Sequence, residues 1–143
     1  MHSFGKGSDG TGPEAALIDV TGTLYGTTEG GGTHQHGTVF SITTDGAEKV
    51  LHSFNGSDGG FLAASLVDVD GMLYGTTVNG GAYDLGTLFS MTRSGSEKAL
   101  HSFGKGTDGA SPAAGLYYDG GILVGTTQAG GVYGGGIVFS LRP

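Results

Sequence analysis

Histidine and aspartate, residue types that bind metals or transfer protons, recur along this chain at regular intervals. A His-Ser-Phe tripeptide occurs three times, beginning at His2, His52 and His101. A histidine copied into every unit of a chain is typical of a scaffold position whose imidazole is held by a hydrogen bond. We therefore predict that these three histidines have a structural role and not a catalytic one.

An aspartate recurs in the same way, within a Gly-Ser/Thr-Asp-Gly turn, as Asp9, Asp58 and Asp108. Carboxylates arranged in a circle would suit a cation that prefers oxygen ligands. However, an aspartate in a turn also accepts hydrogen bonds from its own backbone, and this alone explains the pattern. We predict turn capping here and keep the cation site as the alternative.

Two further histidines, His34 and His36, occur only once, at a spacing that permits metal binding. Two ligands do not make a zinc site, and the neighbouring sequence supplies no third. The Gly-Gly pairs lack the Lys and the following helix of a phosphate-binding loop. A serine nucleophile in a strand-to-helix Gly-x-Ser-x-Gly setting is absent as well. The sequence therefore predicts no catalytic residue, no metal and no cofactor.

The elements that position these residues belong to three tandem copies of one unit of about 49 residues. Each copy contains a Leu-Tyr-Gly-Thr-Thr or similar segment, which starts at Leu24, Leu73 and Leu123. Each copy also contains a Gly-Thr-Val-Phe-Ser or similar segment. The 32 glycines recur at fixed positions, so we interpret them as turn and packing residues and not as a sign of disorder.

Each unit holds four short apolar runs bounded by turn residues, which predicts four β-strands, A to D. In the first unit these are Ala15–Val20, Thr23–Thr28, Gly37–Ile42 and Glu48–Phe54. Neighbouring positions within a run are both apolar, so we expect both faces of each sheet to be covered. Sheets stacked against one another achieve this, and the sequence therefore predicts an all-β protein made of four-stranded propeller blades.

The repeat also sets the expected domain organisation. Residues 1–143 form one repeat domain: 1–54 hold a donated strand and the first blade, 55–103 the second blade, and 104–143 a third blade without its last strand. Three blades do not close a ring. We expect self-association into a closed ring, in which a head-to-tail neighbour donates the strand that begins at Met1. Two chains would give six blades and three would give nine, and dimers are the commoner assembly.

Composition narrows the range of partners. The net charge is −7 with the acids dispersed along the chain, so nucleic acid is not an expected partner. Cysteine is absent, which excludes disulfides and thiolate metal sites. We find neither a signal peptide nor an apolar run of membrane-spanning length.

The motifs together resemble a known repeat family. Asp-x-x-Gly-x-Leu-Tyr-Gly-Thr-Thr, a Gly-Gly pair, Gly-Thr-Val-Phe-Ser and Glu-Lys-x-Leu-His-Ser-Phe are similar to the GloVer tandem repeats of bacterial surface proteins, over essentially the whole chain. The third unit departs from this pattern at Tyr118 and Val124. The resemblance implies an extracellular or cell-surface bacterial protein, with no activity to carry over. The strand layout also resembles the blades of NHL-type propellers.

The loop between strands B and C is the most variable part of the unit, and variable loops on a rigid frame are where binding usually resides. Its aromatic and polar side chains suit a sugar or a peptide. We predict Tyr83, Asp84, His34 and Tyr133 as the ligand-binding residues. Loop drift without selection would produce the same variation.

Three functions are compatible with these observations. The first is a propeller module that binds a carbohydrate or a peptide through the B–C loops. The second is a purely structural, self-assembling surface repeat without a ligand. The third is a metal-assisted propeller lyase or hydrolase. Fold alone cannot decide among them, and the absence of a convergent catalytic set favours a protein that is not an enzyme.

Overall fold

A computed structural model describes all residues, 1–143, and shows an all-β chain without helices. Consequently, no helix long and apolar enough to cross a membrane is present. The strands are β1 (Gly10–Thr11), β2 (Ile18–Val20), β3 (Thr23–Thr28), β4 (Gly30–Gly31), β5 (Thr38–Thr43), β6 (Glu48–Ser53), β7 (Val67–Val69), β8 (Met72–Thr77), β9 (Thr87–Thr92), β10 (Glu97–Ser102), β11 (Gly109–Ala110), β12 (Tyr117–Asp119), β13 (Ile122–Thr126), β14 (Ala129–Gly130) and β15 (Val138–Leu141).

Each repeat forms one antiparallel sheet whose strands lie side by side in chain order. Sheet 1 has the order β2-β3-β5-β6, sheet 2 the order β7-β8-β9-β10, and sheet 3 the order β12-β13-β15. Small two-stranded pairings, β1 with β4 and β11 with β14, fasten the turn before the first strand of sheets 1 and 3 to the Gly-Gly pair, and a single bridge between Gly60 and Asn79 does so in sheet 2. The sequence-based prediction of an all-β repeat with four strands per complete unit is confirmed.

Strands B and D extend over almost the predicted residues, and C is shifted by one residue, but strand A is shorter than predicted. In the first unit it is paired only from Ile18 to Val20, opposite Tyr25 to Thr23. Leu17 does not continue this pairing. Its side chain instead lies over Gly26, where a Cβ atom would come within 2.5 Å of a Leu17 methyl group. Packing over a glycine therefore replaces ladder hydrogen bonds at the start of strand A.

The glycine of the Leu-Tyr-Gly-Thr-Thr motif has a packing function that is the same in all three sheets. Gly26 pairs with Phe40, Gly75 with Phe89 and Gly125 with Phe139. A Cβ at Gly75 would lie 2.7 Å from the Phe89 ring and 2.8 Å from a Leu66 methyl group. The motif thus requires glycine because the aromatic ring of the neighbouring strand occupies the space above it.

The core lies between the sheets. One buried cluster joins sheet 1 to sheet 2 and includes Val39, Phe54 and Phe89, and a smaller one joins sheet 2 to sheet 3 around Tyr74 and Leu123. Sheet 2 is therefore covered on both faces, as its uninterrupted apolar runs predicted. Phe54, which follows β6 of sheet 1, packs on Phe89 of sheet 2 with ring centroids 5.2 Å apart.

Candidate functional site: the His–Asp–Glu clusters

The repeated histidine and the repeated aspartate of each unit form a pair. The Nε2 atom of His2 lies 2.9 Å from Asp9 Oδ2, that of His52 lies 3.0 Å from Asp58 Oδ2, and that of His101 lies 2.7 Å from Asp108 Oδ2. A hydrogen bond of this kind has the imidazole N–H as donor and the carboxylate as acceptor. The pairs of His52 and His101 join β6 and β10 to the turn that leads into the next sheet, and the pair of His2 joins the N-terminal segment to the turn before sheet 1.

A β-bulge orients His52, and likewise His101, toward its aspartate. In sheet 1, β5 and β6 change register so that Val39 faces His52 while Phe40 faces Val50, which leaves Leu51 as the extra residue. The same shift occurs in sheet 2 between Ala99 and His101. A bulge rotates the residues that follow it relative to the regular pleat. The histidine therefore points across to the turn and does not lie in the regular alternation of its strand.

The two carboxylate oxygens of the aspartate have different hydrogen-bond partners. Oδ1 of Asp9 accepts the backbone N–H of Gly10 at 2.7 Å, and Oδ1 of Asp58 accepts the N–H of Asn55 at 2.9 Å. Oδ2 of each faces the histidine. The predicted turn capping is thus present, and it fixes the orientation in which the second oxygen meets the imidazole.

A glutamate from the following D strand completes two of the three pairs. Glu48 joins His2 and Asp9, and Glu97 joins His52 and Asp58, with the ligand atoms of each cluster all within 4.8 Å of one another. In both clusters one glutamate oxygen, Oε1, is buried and has no hydrogen-bond partner. The second cluster spans two sheets, because His52 belongs to sheet 1 and Glu97 to sheet 2. In the first cluster, His2 lies in the N-terminal segment outside the strands and Glu48 lies in sheet 1.

Burial and a neighbouring negative charge perturb both glutamates. Desolvation, followed by the charge of Asp58, raises the pKa of Glu97 to about 7. Desolvation and then the charge of Asp9 raise the pKa of Glu48, and His2 opposes this shift. Both effects disfavour a second negative charge in the cluster. Neither glutamate forms a salt bridge with a lysine or arginine, and the one Arg–carboxylate pair, Arg93 with Asp68, lies elsewhere.

The third pair, His101 with Asp108, has no glutamate. A cavity of about 220 Å³ adjoins it, lined also by Phe103, Phe139 and Leu141. In sheets 1 and 2 the corresponding space is taken by β6 and β10, which carry Glu48 and Glu97. The third pair is accordingly more open, and the His101 side chain is more exposed than its counterparts.

The sequence pattern indicates neither that the histidine and the aspartate meet nor that a glutamate joins them. The signal that could have linked them is the Glu-Lys-x-Leu-His segment, in which glutamate and histidine recur together in the first two units. Neighbours along this segment nevertheless do not meet: Glu48 lies within 4.8 Å of His2 in the N-terminal segment, whereas His52 bonds to Asp58 of the next turn. Only the stacking of sheets brings these residues together.

The B–C loops, predicted to bind a ligand, share one backbone conformation. Each closes with a hydrogen bond from the third loop residue to the second glycine of the Gly-Gly pair, as between Asp84 N–H and Gly81 C=O at 3.4 Å. His34, Tyr83 and Tyr133 all occupy the second loop position and are exposed. The Asp84 carboxylate instead accepts the Gly80 N–H at 3.1 Å, within its own loop.

The fourth loop position connects neighbouring units. The His36 ring stands edge-on to the Phe61 ring of the second unit, with centroids 5.8 Å apart, and the His36 carbonyl accepts the Phe61 N–H at 2.8 Å. His34 and His36 are not brought together with any third metal-ligating side chain.

Comparisons with known proteins agree with the repeat pattern. The family model described as the Gloeobacter/Verrucomicrobia repeat matches residues 1–143. No curated protein matches the chain, and no solved structure does. A match over the full length of the sequence, together with the threefold repeat of strands and motifs, shows that this chain belongs to the Gloeobacter/Verrucomicrobia repeat family.

Proposed function

We propose that the protein is a propeller-type interaction module that self-associates head to tail into a closed ring, outside the cell or at the cell surface, as the family resemblance implies. The supporting observation is a difference in exposure between equivalent positions. Val39 and Leu88 are 0% and 1% exposed because the next sheet covers them, whereas their equivalent in sheet 3, Val138, is 72% exposed. Thr126 of sheet 3 is exposed as well, although its equivalents are buried.

The opposite end of the stack has a complementary uncovered surface. Leu66 of sheet 2 is 4% exposed because it packs against sheet 1, whereas its equivalent in sheet 1, Leu17, is 46% exposed. The two uncovered faces carry the same residue positions that pack together inside the chain. A second copy, placed as sheet 2 is placed on sheet 1, would therefore cover both faces by contacts that the chain already makes.

The unpaired outer edge of β15 also favours association with a second copy of the chain. In sheets 1 and 2 the equivalent strands, β5 and β9, pair with β6 and β10, but β15 pairs only with β13. An unpaired edge beside an apolar cavity accepts an extended strand readily. Closure by two copies would give six blades and closure by three would give nine; we favour two, since dimers are the commoner assembly.

Light scattering coupled to size exclusion tests this proposal. We expect a mass of two chains, or of three, at micromolar concentration. Val138→Glu places a charge on the uncovered face of sheet 3 and should yield a monomer, whereas Tyr83→Glu, at an exposed loop position of sheet 2, should leave the oligomer intact because both faces of sheet 2 are covered within the chain. A wild-type monomer would refute self-association. An unchanged mass for the Val138 variant would refute this interface.

A second candidate function, binding of a carbohydrate or a peptide by the B–C loops, is favoured by the equivalence of His34, Tyr83 and Tyr133. They occupy one position of a common turn, and Tyr83 and Tyr133 are 47% and 99% exposed. Aromatic rings presented in register on successive sheets suit an extended ligand such as an oligosaccharide. Tyrosine, with an apolar ring and a polar hydroxyl, is enriched at binding interfaces.

A glycan and peptide array on the purified protein tests this second function. We expect the strongest binders to lose affinity in a variant with Tyr83→Ala and Tyr133→Ala, because both rings are removed while the loop backbone stays. Tyr117→Ala, on sheet 3 away from the loops, is the matched control. Unchanged affinity of the double variant would place the site elsewhere.

A further inference from the structure

No lysine or arginine neutralises the carboxylates of the two complete His–Asp–Glu clusters. Each holds one imidazole and two carboxylates within 4.8 Å, and neither glutamate forms a salt bridge with a lysine or arginine. Two carboxylates this close repel each other unless a proton or a cation lies between them. The hydrogen bond from the histidine serves only the aspartate.

A second observation concerns the glutamate oxygens. Oε1 of Glu48 and Oε1 of Glu97 are both buried and both lack a hydrogen-bond partner. A buried oxygen without a partner is costly, and native proteins rarely leave one unsatisfied. Since the same oxygen is unsatisfied in two independent copies of the cluster, the feature belongs to the repeat and not to one irregular side chain.

We propose that each complete cluster binds one divalent first-row cation of the zinc class, so that the chain holds two sites: His2, Asp9 and Glu48 in the first, and His52, Asp58 and Glu97 in the second. This departs from the expectation that the sequence alone supported, namely that no metal is bound. It is independent of the proposed self-association.

The geometry suits such an ion. Zinc binds His nitrogen and carboxylate oxygen at about 2.0–2.2 Å, which places ligand atoms about 3–3.5 Å apart. The His52 Nε2 and Asp58 Oδ2 atoms are already 3.0 Å apart. The ion would take the unprotonated Nε2, so the imidazole proton would move to Nδ1 and the His–Asp hydrogen bond would be exchanged for two metal bonds. Because the ligand atoms all lie within 4.8 Å of one another, Glu97 would need to approach by at most about 1.5 Å.

The chemistry of the ligands favours this class of cation over others. One nitrogen and two oxygens per site are too few for calcium, which takes six to eight oxygen ligands. Imidazole together with carboxylate suits zinc and its first-row neighbours. In the second site, His52 and Glu97 come from adjacent sheets, so the ion would fasten one sheet to the next. In the first site, it would fasten the N-terminal segment to sheet 1. Binding at either site would stabilise the folded state.

Calorimetric titration of the chelator-stripped, tag-free protein with ZnCl2 tests the proposal. We expect two ions per chain, one after Glu97→Gln, and none after Glu48→Gln with Glu97→Gln, since glutamine keeps the shape and removes the charged ligand. His101→Gln, in the pair that lacks a glutamate, should leave two ions bound. No binding by the wild type at 100 micromolar zinc, or two ions retained by the double variant, would overturn the proposal.

Two further measurements keep the test decisive. If binding is lost with His34→Gln and His36→Gln, the zinc belongs to the exposed loop and the proposal is wrong. Nitrogen-15 NMR of the wild-type protein needs no variant: the Nε2 resonances of His2 and His52 should shift on addition of zinc, while that of His101 should stay. A shift of His101 alone, or of none of the three, would count against the clusters.

Discussion

The Phe89 side chain is the best place to test whether the sheets are held together as described, because it is fully buried at the junction of sheets 1 and 2. It packs on Phe54 of the preceding unit and lies over Gly75 of its own sheet. A buried Phe removes about 150–250 Å² from water, worth about 4–6 kcal/mol at ~25 cal/mol per Å². Since the alanine methyl group remains buried, we expect Phe89→Ala to lower the free energy of unfolding by about 3–5 kcal/mol.

Equilibrium urea denaturation followed by circular dichroism measures this loss at a fixed protein concentration. Fixed concentration matters because self-association would itself contribute to stability. Tyr133→Ala is the matched control: its ring is exposed, and it should change the free energy by no more than about 0.5 kcal/mol. A loss below about 1 kcal/mol for Phe89→Ala would show that the ring is not enclosed between two sheets, and the stacked arrangement would then be wrong.

Three further predictions concern stability. Gly75→Ala should cost about 1–3 kcal/mol through overpacking against Phe89, and combining it with Phe89→Leu should cost less than the sum of the single changes; additive losses would refute this contact. Thr77→Val should lower the free energy of unfolding by about 1–3 kcal/mol, because the Thr77 hydroxyl accepts the Thr87 N–H at 3.0 Å and donates to a backbone carbonyl. A loss no larger than that caused by Thr126→Val, at an exposed threonine, would contradict this prediction. In the presence of a chelator, the free energy of unfolding should fall by about 1–2 kcal/mol between pH 4.5 and pH 8, a range already discounted for solvent screening. The reason is that burial raises the folded-state pKa of Glu97 to about 7, so the folded protein binds the proton more tightly than the unfolded chain does. Glu97→Gln should remove most of this fall in urea titrations across that range, and an unchanged profile would refute the assignment.

Much of the local structure could be predicted because it depends on residues close together in the chain. The B strands are found where the Leu-Tyr-Gly-Thr-Thr segments predicted them, and the last threonine of the segment bonds to the neighbouring strand, as Thr28 does with Thr38 at 2.8 Å. Strand pairing in a meander joins neighbouring segments, so short apolar runs bounded by turn residues are sufficient to predict it. The length of strand A was overestimated because Leu17 packs over Gly26, a contact that no period-2 pattern reveals.

The candidate site could not be assembled in this way. The repeat determined that histidine, aspartate and glutamate would each occupy equivalent positions, and its period determined an all-β chain of stacked units. Which of them meet was decided by tertiary structure: a bulge turns His52 toward Asp58, and the packing of sheet 2 on sheet 1 brings Glu97 to both. Sequence patterns record the neighbours within a strand, whereas this cluster forms between sheets, where the packing of buried side chains sets the distances.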